Sequence, residues 1–177
     1  FSPRLSNERK ELAELVEKHG KKGSKVLVMF SGVGPYSVVI AKKSKNCKIY
    51  SVEINKIATK YAFLNKKLNN LKNLEVIQGD VKRIIPGFIV QGIKFDFIVM
   101  PRPQLKENFL KQAFQVSKHG TRIYYYDFCK GDEIQETIEN IKKEAKKNKA
   151  TIKILNIKKA GEIGPYKFRV RIDFIVL

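Results

Sequence analysis

A strand that breaks on a glycine turn and resumes as a helix leaves a chain few folds to choose from. The segment Val26-Leu27-Val28-Met29-Phe30-Ser31-Gly32-Val33-Gly34-Pro35-Tyr36 has this form, an apolar run, then a glycine pair, then a helix-compatible stretch to Lys43. About twenty residues after the turn, Lys48-Ile49-Tyr50-Ser51-Val52-Glu53 reads as a second strand that closes on an acid. Glycines let the backbone come close to a ligand, and an acid at the end of the second strand can accept hydrogen bonds from both ribose hydroxyls. Phe30, Ser31, Gly32, Gly34, Glu53 and the adjacent Ile54 are therefore candidate cofactor contacts. No third glycine completes a dinucleotide pattern, and Pro35 removes an N–H that a pyrophosphate would use. A nucleoside cofactor without phosphates, S-adenosyl-L-methionine, suits the pattern better.

The remaining chain repeats the alternation. Residues 5–19, 35–43, 55–69, 104–118 and 132–148 carry helical spacing, and residues 25–30, 47–53, 74–78, 95–100 and 121–128 read as strands. The last two runs, 151–160 and 167–177, form an antiparallel pair around Gly161–Gly164. In the helix over 55–69, Ile57, Ala58, Tyr61, Leu64 and Leu68 mark the expected inner face; in 104–118 it is Leu105, Phe109, Leu110 and Ala113. The expected architecture is α/β, a Rossmann-like, mostly parallel seven-stranded sheet with an antiparallel finish, as in class I S-adenosylmethionine-dependent methyltransferases. A length of 177 residues fits one such domain, 21–177, preceded by a helix and motif over 1–20. Because the chain starts at Phe1, inside what reads as a motif, a longer parent protein is expected.

A second acid supports the cofactor reading. Gln78-Gly79-Asp80-Val81 follows the third strand, which sets Asp80 beside the switch point where open parallel sheets bind ligands. Asp80 can accept from the adenine amine while the Val81 N–H donates to a ring nitrogen. Asp80 equally suits the cap of a short helix over 81–85, and the two roles are compatible.

With 36 Lys+Arg against 17 Asp+Glu, the formal charge is +19, a field that attracts polyanions, nucleic acid first. No stretch approaches the roughly 20 apolar residues of a membrane span. Cys47 and Cys129 sit in apolar contexts as small core residues of a reducing compartment, and with two histidines in the chain no metal-ligand cluster is expected. A cytoplasmic protein, acting as a monomer, is expected. Arg102, Lys106 and Lys111 lie near the expected pocket mouth, Arg102 and Lys106 being the candidate RNA contacts, whereas the lysine run 142–149 reads as a solvated helix face. Tyr124, Tyr125 and Tyr126 alternate across a strand, so at least one points into the core.

Three segments carry a resemblance. Phe1-Ser2-Pro3-Arg4-Leu5-Ser6-Asn7-Glu8-Arg9, Met29-Phe30-Ser31-Gly32-Val33-Gly34-Pro35-Tyr36-Ser37 and Ile123-Tyr124-Tyr125-Tyr126-Asp127-Phe128 resemble the archaeal and eukaryotic tRNA guanine-N1 methyltransferase family, which modifies the guanosine 3′ of the anticodon. The resemblance covers essentially the whole chain as that family's catalytic domain, without the additional N-terminal domains that help bind tRNA. It implies that Glu8 is the general base on guanine N1, with Arg4 beside the target. It also implies that Phe30, Gly32, Gly34, Glu53, Asp80 and Val81 hold S-adenosyl-L-methionine. Guanine N1 is protonated at neutral pH and becomes nucleophilic when a carboxylate takes its proton, so positioning and one base suffice, with no metal.

Two positions depart from the family. Val28 stands where an acid is usual, and Met100-Pro101-Arg102-Pro103 replaces an Asn-Leu-Pro or Asn-Pro-Pro segment whose amide helps hold the target base, which places Pro101 at the catalytic position. Archaeal members with proline there are associated with a second methylation, at carbon 7 of a wyosine precursor. The alternatives are a related wyosine-pathway transferase that donates the aminocarboxypropyl chain, and a cofactor- and RNA-binding module without catalysis.

Overall fold

The computed structural model describes residues 5–103, 107–130, 133–164 and 167–177. Among them run α1 (Ser6–His19), β1 (Lys25–Met29), α2 (Pro35–Lys43), β2 (Lys48–Glu53), α3 (Lys56–Leu68), β3 (Leu74–Gln78), α4 (Val81–Val90), β4 (Phe97–Met100), α5 (Leu110–Gln115), β5 (Arg122–Lys130), α6 (Ile134–Lys147), β6 (Ile152–Gly164) and β7 (Lys167–Val176). The seven strands form one sheet in the order β3-β2-β1-β4-β5-β7-β6. Pairs from β3 to β5 are parallel, and β7 lies antiparallel between β5 and β6. The expected sheet and its antiparallel finish are therefore present.

Successive strand residues face opposite layers. Leu27 and Met29 enter a core with Ile85, Phe88, Leu110 and Ile141, while Val26 and Val28 enter another with Leu12, Val16, Ile40 and Ala62. Helices cover both faces, which is why the parallel strands read as nearly continuous apolar runs. Each fully buried aliphatic side chain contributes about 1.5–3 kcal/mol. All three tyrosines of β5 are buried, Tyr125 in the first core and Tyr124 and Tyr126 in the second, and the thiols of Cys47 and Cys129 are buried and free.

Three helices differ from expectation. The helix over 81–85 continues to Val90 through Pro86, whose lost hydrogen bond is offset by burying Ile85 and Phe88. The helix expected over 104–118 is α5, starting at Leu110; Phe109 takes φ 58 as its N-cap and Asn108 Oδ1 accepts from the Leu110 N–H at 3.0 Å, while Leu105 lies outside the described residues. In α3 most of the expected inner face is turned outward. Ile57, Tyr61, Leu64 and Leu68 are 69%, 53%, 44% and 79% exposed, Ala58 is half-buried, and Thr59 and Ala62 face the sheet. Small residues are needed there because the β1–α2 turn passes close, and a Cβ on Gly34 would lie 3.6 Å from that of Ala62.

The chain winds outward from β1 to β3 and then returns to place β4 on the other side of β1. The connections leaving the carboxyl ends of β1 and β4 diverge, and an open α/β sheet binds ligands at such a switch point.

Candidate active site

The β1–α2 turn reverses direction through three left-handed residues, Phe30 (φ 57), Gly32 (φ 56) and Gly34 (φ 82). Glycine adopts this region freely, whereas Phe30 is strained there and persists because its surroundings hold it. The Ser31 N–H donates to Val52 O at 3.0 Å, the Gly34 N–H to Ser31 O at 2.9 Å, and Asn65 Nδ2 on α3 donates to Val33 O at 2.9 Å. Gly34 caps α2, with Pro35 at the first helical position, where a missing N–H costs nothing.

Glu53 ties the turn to the end of β2. Its Oε2 accepts from the Gly32 N–H at 2.7 Å and its Oε1 from the Asn55 N–H at 2.8 Å. A carboxylate has about four acceptor sites, so two such bonds leave capacity for ribose hydroxyls. Asp80 Oδ1 accepts from the Lys82 N–H at 2.9 Å and caps α4, a bond that likewise leaves acceptor sites.

A cavity of about 670 Å³ opens at this end of the sheet, a size usual for small-molecule sites. It is lined by Phe30, Gly32, Glu53 and Ile54 from the ends of β1 and β2, by Gly79, Asp80 and Val81 after β3, and by Pro101, Arg102, Pro103, Phe109, Phe128 and Arg169 from the β4, β5 and β7 side of the sheet. A Cβ added to Gly32 would meet no atom of the described residues within 4 Å, so the backbone there is open to a ligand. The buried Ser31 hydroxyl beside the turn has no hydrogen-bond partner among the described residues. Acid, open glycine and apolar walls together suit a nucleoside cofactor.

Six of the eight expected cofactor residues thus line one cavity, and Pro101 joins them. Ser31 is buried within the turn and does not line the cavity, and Gly34 lines a neighbouring cavity of about 440 Å³ with Ser6, Arg9 and Lys10. Arg4 and Lys106 lie outside the described residues. Arg102 lines the cavity, but its guanidinium is turned inward, bonded to the Tyr125 hydroxyl and 3.5 Å from Asp127 Oδ1. Its charge is already neutralised within the fold, unlike that of an open phosphate contact. Burial, with Asp127 nearby, pushes the Tyr125 pKa up to about 12, which keeps that hydroxyl a neutral partner.

Glu8 is not brought to the cavity. It is buried between α1, β5 and β7, with Oε1 accepting from Arg171 at 2.5 Å and from the Tyr126 hydroxyl at 2.8 Å, and Oε2 3.1 Å from Lys158 Nζ. Arg171 is fully buried and also pairs with Asp173 and Glu11. Burial would lower the Arg171 pKa, but Asp173 and the surrounding groups raise it instead. Burial pushes the Tyr126 pKa well above the ordinary value. Arg169, Arg171 and Asp173 escaped the sequence reading, although charges at every second position of an otherwise apolar strand are a usable signal of a polar row on one face.

The family model described as TRM5/TYW2 methyltransferase domain matches residues 1–154. The tRNA (guanine(37)-N(1))-methyltransferase Trm5b of Pyrococcus abyssi is 34% identical over 177 residues, covering 99% of this chain and 50% of its own length. The tRNA (guanine(37)-N(1))/4-demethylwyosine(37)-methyltransferase Taw22 of Nanoarchaeum equitans is 30% identical, covering 100% of this chain and 73% of its own. Among solved structures, wild-type Trm5b from P. abyssi superposes with a TM-score of 0.85 at 32% identity, over 99% of this chain and 50% of that one. TYW2 of M. jannaschii in complex with AdoMet gives 0.82 at 26% identity, over 100% and 78%.

Proposed function

The chain belongs to the TRM5/TYW2 methyltransferase domain family, and from that premise we propose that it transfers a methyl group from S-adenosyl-L-methionine to N1 of the guanine 3′ of the anticodon in tRNA. The chain spans half the length of Trm5b. The observation that carries the reading is Glu53, held across the Phe30–Gly34 turn at the mouth of a cavity of fitting size.

S-adenosyl-L-methionine supplies an electrophilic methyl group on a sulfonium. Glu53 would hold the ribose hydroxyls, Asp80 the adenine amine and the Val81 N–H a ring nitrogen, with Phe30, Ile54 and Phe109 as apolar walls. Pro101 and Pro103 shape the far side without rotational freedom, and there the target base would enter. The resemblance gives the N1 proton to Glu8. Glu8 is buried against Arg171, Tyr126 and Lys158 and does not line the cavity in this structure, so acceptance requires RNA binding to bring the base and this carboxylate together.

Pro101 favours a second reading beside the first, a further methylation of a wyosine precursor, which the similarity to Taw22 supports. Nucleoside mass spectrometry of tRNA incubated with the protein and labelled cofactor tests both. N1-methylguanosine is the expected product; an aminocarboxypropyl adduct, or no adduct, would replace the proposal. Glu53→Ala should weaken cofactor binding by about 1.5–3 kcal/mol, the loss of charge-assisted hydrogen bonds, and unchanged calorimetric affinity would remove Glu53 from the site.

A further inference from the structure

We propose that Arg169 binds a phosphodiester oxygen of the RNA next to the target nucleotide, which makes the β7 wall of the cavity an anion site; this rests on reading the chain as a tRNA methyltransferase. Arg169 lies on β7 opposite Phe128 of β5, is 8% exposed and lines the cavity. Its guanidinium carbon sits 4.5 Å from the ring centre of Tyr126 and 5.9 Å from those of Tyr36 and Phe128. The buried Nε has no hydrogen-bond partner among the described residues. Two residues along the same strand, Arg171 is matched by Glu8, Glu11 and Asp173.

The surroundings sharpen the contrast. Arg9, 4% exposed, is close enough that, besides burial, the charge of Arg169 lowers its pKa, with Tyr36 opposing. Aromatic faces soften a buried cation but do not replace an anion, and a cation kept in this state marks a place where a ligand completes the pairing. Two anions could reach the cavity. The carboxylate of the cofactor is tethered to a ribose at Glu53 on β2, and β7 is four strand spacings away, about 19 Å at 4.8 Å each. RNA brings one phosphodiester per nucleotide, and a nucleotide turned out of its stack carries its flanking phosphates toward the pocket.

The test is a cycle of binding measurements on an anticodon stem-loop, natural or with a neutral methylphosphonate at each phosphodiester flanking the target guanosine. One of the two replacements should lower wild-type affinity by about 10–100-fold, the scale of a charge-assisted hydrogen bond. Arg169→Met should lower affinity for the natural RNA by a similar factor and show no further loss with that replacement, while Arg169→Lys recovers part of it. Calorimetric cofactor affinity should stay within about twofold in both variants, which also establishes that they fold. Losses that multiply at both positions would overturn the proposal. So would Arg169→Met weakening the cofactor while sparing the RNA, which would give the guanidinium to the carboxylate. Absence of methylated guanosine with the wild-type protein would instead overturn the underlying reading, a separate result because the coupling is read from binding alone.

Discussion

Glu8 joins residues far apart in the chain, since Tyr126 is 118 positions away and Arg171 is 163. Glu8→Gln removes the charge that Arg171, Tyr126 and Lys158 share, but Asp173 and Glu11 still face Arg171, and Glu11 still faces Lys158, so the cost in urea unfolding should be about 1–3 kcal/mol. The chemical role is read separately, with folded, cofactor-saturated protein in single turnover. As the base, Glu8→Gln is expected to slow methylation by roughly 10²–10⁴-fold, a deficit that shrinks as pH rises and guanine N1 ionises unaided. A wild-type rate at neutral pH would leave Glu8 an anchor of α1 against β5 and β7. The positions of Glu53 and Asp80 at the cavity were legible in the sequence because each lies at or just past the end of a parallel strand, where spacing determines geometry; the bond from the Gly32 N–H to Glu53, between two elements, was not. The partners of Glu8 and the ring setting of Arg169 were not, since they arise only when β7 pairs with β5.

At the scale of elements, α3 shows why periodicity found a helix but assigned its faces wrongly. Ile57, Tyr61, Leu64 and Leu68 recur at helical spacing, yet the face that meets the sheet is Thr59 and Ala62, continued by Asn65, which holds the Val33 carbonyl. A helix that must approach a backbone turn presents small and hydrogen-bonding residues, so its apolar stripe is free to lie outside. Leu68→Gln should therefore change stability by no more than about 0.5 kcal/mol, as at an ordinary surface position. Ala62→Leu should destabilise by about 1–3 kcal/mol and weaken cofactor binding as well, because the added methylenes push on Gly34 and the turn. Equal costs at the two positions, measured by chemical denaturation, would show that the outward stripe is covered in solution. The strands were more legible than the helix faces because burial on both sides leaves an apolar run no face to misassign.

Across the whole molecule, the fold assigns different meanings to the charges that make up +19. Arg102 and Arg171 are consumed inside the protein by Asp127, Glu8 and Asp173. Lys82 and Lys10, at the mouths of two adjoining cavities, and Lys142 and Lys143 on α6 are exposed. Lys82 also pairs with Glu107 at 2.7 Å, and an exposed pair of this kind is worth little against a polyanion. A surface that displaces counterions from several phosphates should give tRNA affinity that falls log-linearly with salt, by roughly 10³-fold between 50 and 200 mM if about six are neutralised. The small cofactor should respond little. Because RNA must reach the cavity for a base to enter it, replacing Lys10 and Lys82 with alanine should reduce the salt slope by about one per residue, and replacing Lys142 and Lys143 should leave it nearly unchanged. Equal slopes from the two pairs would mean that RNA sees only a diffuse positive field. A flat salt response in the parent protein would separate the lysine excess from nucleic-acid binding altogether.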